Sequence, residues 1–170
     1  QLIRHHAAMR TFPQWLMHHA GERPEAPALR EKDLGLWQTT SWSQLLHNVA
    51  ALAHGFHAAG LRAGQHLLVV GENRPRLYAA MLGAQALGAV PVPLYQDAVA
   101  AEFVWPLQLA EVAHAVVEDQ EQLDKLMEVR PQCPLLQHLW VDDPRGLRHY
   151  REPGLELLDS LLERGAARHA

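Results

Sequence analysis

The sequence predicts an α/β fold: an N-terminal helix and a small β-hairpin followed by a parallel βαβα sheet. Three observations predict it. Capping residues stand ahead of helical apolar spacings; two strand-like runs near residue 30 are separated by Lys-Asp-Leu-Gly; and beyond residue 66 short unbroken apolar runs alternate with helical patterns. An unbroken run such as Leu67-Leu68-Val69-Val70 implies a strand buried on both faces, and crossovers of helical length bring successive strands back parallel.

Each element has its own signal. Thr11 caps a first helix with Pro13 in its first turn and Phe12, Trp15, Leu16 and His19 at helical spacing; Gly21 ends it. A Pro-rich joint leads to strands at 28–31 and 36–40. Ser41-Trp-Ser-Gln44 is a capping box, after which Leu45, Val49, Leu52 and Phe56 recur on one face until Gly60 supplies a left-handed stop. Strand 67–70 is followed by the turn Gly71-Glu72-Asn73, then by a helix with Leu77, Met81 and Ala84 as its inner stripe up to Gly88. The next strand, 90–93, contains Pro91 and Pro93, which remove two ladder donors and predict a short strand or one that leaves the sheet early. Asp97 is expected to cap a helix through Leu109, kinked or split by Pro106. Strand 113–118, a helix capped by Asp119 and running to Arg130, and strand 138–142 complete about four parallel strands within 66–142. Residues 143–154 read as loop, and 155–164 carry a weak helical stripe. The division expected is an N-terminal extension at 1–10, a domain segment at 11–151, and a linker or helix at 152–170.

Composition narrows the functional classes. The chain has 170 residues, 48% of them hydrophobic and 20% charged, which suits one folded domain rather than a disordered tail. Fifteen Lys+Arg against 19 Asp+Glu leave a formal charge of −4 with the basic residues scattered, so no nucleic-acid footprint is expected. Cys133 is the one cysteine, which excludes a disulfide framework or a Cys-based zinc site within the chain and fits a reducing cytoplasm. The stretch 79–95 is interrupted by Gln85, Pro91 and Pro93, so no transmembrane segment is expected. Residue 1 is Gln rather than Met, so the natural start is expected to lie upstream.

In an open parallel sheet, ligands gather beyond the carboxyl ends of the strands, which points to Gly71-Glu72-Asn73, Leu94-Tyr95 and Glu118-Asp119. The first of these turns lacks the Gly-x-Gly-x-x-Gly that lets a pyrophosphate approach the backbone. Gly83 and Gly88 have phosphate-loop spacing, but Ala89 stands where the lysine is required. His47, His54 and His57 fall near one side of the second helix, where they form either a metal site or a solvated stripe; no His-Glu-x-x-His accompanies them. The acidic run Glu118-Asp119-x-Glu121 suits a helix N-terminus. Cys133, before Pro134 and without an evident base, reads as a bystander.

Taken together, Ala28-Leu29-Arg30-Glu31, Thr39-Thr40-Ser41-Trp42, Asn73-Arg74-Pro75, the string from Ala84 through Gly88-Ala89-Val90-Pro91-Val92-Pro93-Leu94-Tyr95, and Val117-Glu118-Asp119-Gln120-Glu121-Gln122 resemble the opening of a bacterial long-chain acyl-CoA synthetase, one of the AMP-forming adenylating enzymes. The resemblance runs from about Thr11 to Arg151. It implies a two-step reaction in which a fatty acid and Mg-ATP give acyl-adenylate and pyrophosphate, and coenzyme A then displaces AMP. It also implies that the phosphate loop, the acid motifs for adenine and Mg2+, and the catalytic lysine lie downstream. Lys32 and Lys125 match no catalytic motif, so no catalytic residue carries over, and no cofactor or metal is expected on this segment alone. Trp105-Pro106-Leu107-Gln108-Leu109 departs from the family's uninterrupted helix.

The expectation is therefore an N-terminal segment of a long-chain fatty-acid–CoA ligase, inactive by itself, with Asn73, Arg74 and Tyr95 as candidates for one wall of the acyl or CoA channel. Local packing and pairing of Arg74 and Tyr95 is the competing account. The partners implied are fatty acid, coenzyme A and the downstream part of the same polypeptide, with a homodimer also envisaged, in the cytoplasm or peripheral at the inner membrane. The alternative is a truncated remnant that acts as an interaction module.

Overall fold

The computed structural model describes residues 11–169; the expected extension at 1–10 lies outside the described residues. Helix α1 (Phe12–Glu22) opens with a full capping box, in which Thr11 Oγ1 accepts from Gln14 N–H and Gln14 Oε1 accepts from Thr11 N–H. Strands β1 (Pro27–Asp33) and β2 (Leu36–Ser41) pair antiparallel around Leu34 and Gly35, both at positive φ, as the twist of a two-residue hairpin turn requires. Helix α2 (Trp42–Ala58) starts at the Ser41–Gln44 box. Its stripe of Leu45, Val49, Leu52 and Phe56 is at most 4% exposed, each such side chain stabilising the fold by roughly 1.5–3 kcal/mol through burial.

The sheet then builds as β3 (His66–Val70), α3 (Pro75–Ala86), β4 (Val90–Leu94), α4 (Ala100–Leu109), β5 (His114–Val117), α5 (Gln120–Val129), β6 (His138–Val141), β7 (Leu155–Leu157) and α6 (Leu158–His169). Its five strands lie in the order β4-β3-β5-β6-β7, every pair parallel. Successive side chains on a strand point to opposite faces, and the core divides accordingly. Leu67, Val69, Val116 and Trp140 pack with residues of α1, α2, α3 and α6 on one face. Leu68, Val70, Ala115, Val117, Leu139 and Val141 pack with α4 and α5 on the other. Chain progress reverses after β4, and a right-handed crossover that steps back places its helix on the opposite face; α3 and α4 are separated in this way.

Two expectations are corrected, those for β4 and for Asp97. The segment read as linker or helix at 152–170 holds the helix, α6, whose Leu158 and Leu161 are buried, and ahead of it a strand that the sequence did not signal, β7, which pairs with Leu139–Val141. Three residues are too few to show a period, and part of the α6 contact is made by glycine, not by an apolar side chain: a Cβ on Gly165 would stand 1.8 Å from the Ala51 carbonyl oxygen of α2. Strand β4 keeps all five residues despite its prolines because it is the sheet edge. Val90 N–H donates toward the β3 side, to Gln65 O, so Pro91 and Pro93, one position out of phase, place their missing donors outward. Asp97 does not cap α4, whose N-cap is Val99 without a side-chain bond; the chain spends 95–98 on a turn closed by Ala98 N–H to Tyr95 O. Of the two outcomes expected at Pro106, a kink or a split, the split does not occur: helix α4 runs on through the proline. One bond is lost, while Phe103 and Leu107, 1% and 2% exposed, anchor the helix on either side of the ring.

Candidate functional site

The strand order reverses between β3 and β5, so the crevice that such folds offer to ligands opens where those strands end. Beyond β3 come Gly71, Glu72, Asn73 and Arg74; beyond β4 come Tyr95, Gln96 and Asp97. Together with Pro93 and Leu94 these residues line a cleft of about 650 Å³. The structure thus brings the three residues singled out from sequence, Asn73, Arg74 and Tyr95, to one cleft.

Their engagement differs. Tyr95 is 87% exposed. Asn73 Oδ1 accepts from the Tyr78 hydroxyl at 2.9 Å, which ties the turn to the first coil of α3. Arg74 is the N-cap of α3 and makes no capping bond there. Its Nε donates to Glu118 Oε1 at 2.8 Å, and its other nitrogens stand 3.3 Å from Glu72 and 3.9 Å from Glu31. The bond to Glu118 and then the surrounding carboxylates raise the Arg74 pKa. Local pairing, the account weighed against a ligand contact, therefore describes Arg74 well. Across the cleft, Lys125 Nζ donates to the carbonyl of Gln96 and pairs with Glu121 at 3.0 Å, which fastens the Tyr95 loop to α5.

A second charged group stands beside the first. Arg76 of α3 approaches Asp142, just past β6, and Asp159 of α6, each at 2.6 Å. The atoms meet in distance but out of hydrogen-bond alignment. Burial accordingly outweighs the arginine, and the Asp142 carboxyl is pushed up to about 6.

The strand-end rule points to Glu118-Asp119 but not to what each residue does: Asp119 caps α5, accepting from Gln122 N–H at 3.2 Å, whereas Glu118 reaches back across the crevice to the turn after β3. Sequence reading missed an apolar groove of about 530 Å³ between α1, the hairpin and α3, lined by Phe12, Trp15, Leu29, Trp42 and Met81 among others. Cys133 is buried, and that burial raises its thiol pKa. His47, His54 and His57 are exposed on α2, and among the described residues no three His, Cys, Asp or Glu side chains come together as a metal site. No helix among the described residues is long and apolar enough to cross a membrane.

Comparison with known proteins supplies the family. The chain is 36% identical over 85 residues to 2-succinylbenzoate–CoA ligase of Salmonella typhimurium, covering 49% of this chain and 18% of that protein. It is 26% identical over 137 residues to a fatty acid–[acyl-carrier-protein] ligase of Streptomyces coeruleorubidus, covering 76% and 24%. It is 26% identical over 156 residues to a long-chain-fatty-acid–CoA ligase of Mus musculus, covering 92% and 22%. The chain thus spans about a fifth to a quarter of the length of these relatives. Among solved structures, acetoacetyl-CoA synthetase from Streptomyces lividans superposes with a TM-score of 0.78 at 23% identity, over 88% of this chain and 24% of that one, a likeness of fold. A family model for AMP-binding enzymes matches residues 16–157, and the chain belongs to that family of adenylate-forming acyl- and aryl-acid ligases.

Proposed function

We propose that this chain is the N-terminal part of the acyl-adenylating region of a long-chain fatty-acid–CoA ligase, which activates its acid with Mg-ATP and transfers the acyl group to coenzyme A in the cytoplasm. The family match over residues 16–157 carries the reading, and relatives whose names specify fatty acids support the substrate class. In this reading the segment supplies the parallel sheet, its two cores and one wall of the substrate channel. Tyr95 offers an uncommitted ring to the cleft, while Asn73 and Arg74 shape its floor. The crevice itself does not fit a triphosphate: Arg74, the cation at hand, is shared among Glu118, Glu72 and Glu31. No step of the reaction is therefore assigned to these residues, and the segment by itself is inactive.

The test uses the 170-residue chain and the longer product of the same reading frame, assayed for ATP–pyrophosphate exchange with palmitate, 2-succinylbenzoate and ferulate. Exchange by the longer product with palmitate alone is expected; exchange only with the aryl acids would overturn the long-chain assignment. The short chain is expected to show neither exchange nor an ATP-induced rise in melting temperature. A competent site at 100 times Kd would add about 2.7 kcal/mol, so that shift is easily seen. A second reading, a remnant acting as an interaction module, is favoured by the exposure of Phe12, Trp105 and Leu109 at 66–70%. It predicts a stop codon beyond Ala170 and self-association of the short chain in light scattering.

A further inference from the structure

We propose that the Glu118 carboxylate is a built-in anion: it fills the place at the sheet's reversal point where an open α/β fold would hold a phosphate, and so converts the 71–74 turn from a cradle into a fixed wall. An external anion in this crevice would be gripped by backbone N–H groups of the turn leading into α3 and by a neighbouring cation. Both grips exist, and both are taken. Glu118 Oε2 accepts from the Glu72 N–H at 2.5 Å, and Oε1 accepts from Arg74 Nε at 2.8 Å.

The carboxylate arrives from the end of β5, 46 positions along the chain from Glu72, and its side chain is 12% exposed. Gly71 makes the approach feasible, since a Cβ there would lie 2.6 Å from Glu118 Cβ and 2.9 Å from Oε2. Glu31 and Glu72 add negative charge around the same guanidinium. A free phosphate would have to displace a tethered competitor whose effective concentration is high, in a field that already repels it. Glu118 is thus a positioning residue for Asn73 and Arg74. The inference stands on the geometry and holds whether or not the ligase reading does.

Inorganic phosphate is the probe, titrated into the full 170-residue chain and followed by amide NMR, with sodium chloride at matched ionic strength as control. In the unmodified chain the Glu72 amide is expected to resist hydrogen exchange and to stay in place as phosphate is added. In Glu118→Ala the Glu72 amide is expected to move with phosphate but not with chloride, with phosphate binding at least about tenfold tighter because two charge-assisted bonds become available. Glu118→Gln, which keeps the shape without the charge, provides the same comparison should the alanine variant fail to fold. Movement of the Glu72 amide with phosphate in the unmodified chain would overturn the proposal. So would rapid exchange of that amide, or a folded variant that answers phosphate no better than chloride.

Discussion

The two ends of the parallel sheet are built from the same strands and behave oppositely. At the carboxyl end stand ions: Glu118 with Arg74, Asp142 with Arg76 and Asp159, and Asp143 with Arg145. At the amino end stand flat stacked rings: His114 lies 4.9 Å from His138 at 9° between planes, and both stack on Trp140 at 6.0 and 5.8 Å. The difference follows from chain direction. Strands run into helix N-termini at their carboxyl ends, where orphan N–H groups and the dipole favour carboxylates. At their amino ends they meet helix C-termini, whose carbonyls seek donors. Arg62 donates to His57 O, and His114 Nε2 makes its 3.3 Å contact with Ala59 O at the C-cap of α2. One register, set by β5 and β6, thus serves two chemistries.

The largest expected break is at the ring end. Trp140 is 1% exposed and also meets Phe56 edge-on at 5.3 Å; Trp140→Ala is expected to cost about 3–5 kcal/mol in urea unfolding. A loss no greater than that of an exposed site would show that the stack is ornamental.

Acidification separates the ends next. Burial lowers the His114 pKa, the contact with Ala59 opposing it, so the unfolded chain takes up that proton first. Its contribution to stability is complete above about pH 6.5 and is lost as pH falls from there through the lower folded value. Asp142 runs the other way. With its folded pKa at about 6 against 3.8, the folded chain binds the proton first, and the cost of the buried carboxylate is relieved as pH falls through that window. His114→Phe is expected to make the stability–pH curve between neutrality and about pH 4 fall less steeply than the parent's, and Asp142→Asn to make it fall more steeply. Parallel curves for all three proteins would remove the contrast.

The smallest effect belongs to the rim. Arg145 is 86% exposed and pairs with Asp143 through its guanidinium, where screening leaves an ion pair of little worth. Arg145→Ala is expected to leave the melting temperature unchanged within error; a clear drop would extend the ionic end of the sheet out to its rim.

Local chemistry was legible in the sequence. The Ser41–Gln44 box, the Leu45–Val49–Leu52–Phe56 stripe and the turn residues Gly60 and Asp119 each act within a few positions, so their patterns survive in one dimension. The candidate cleft was half legible: rules for parallel sheets placed Asn73, Arg74 and Tyr95 at strand ends, and the strands put those ends together. What escaped acts at a distance. Glu118 bonds across 46 positions, Asp142 and Asp159 share Arg76 from two other elements, and β7 exists only because β6 has an open edge beside it.

The order of residues by itself determined the helices, the hairpin, the alternation of strand and helix and the burial of β3 and β5, because these depend on propensity, capping and periodicity over one or two turns of chain. The tertiary structure alone decided that β4 lies outermost and that β7 joins the sheet. It also decided that a glutamate at the end of β5 closes the crevice beside β3, because sheet order and side-chain reach arise only once both faces have found something to cover them.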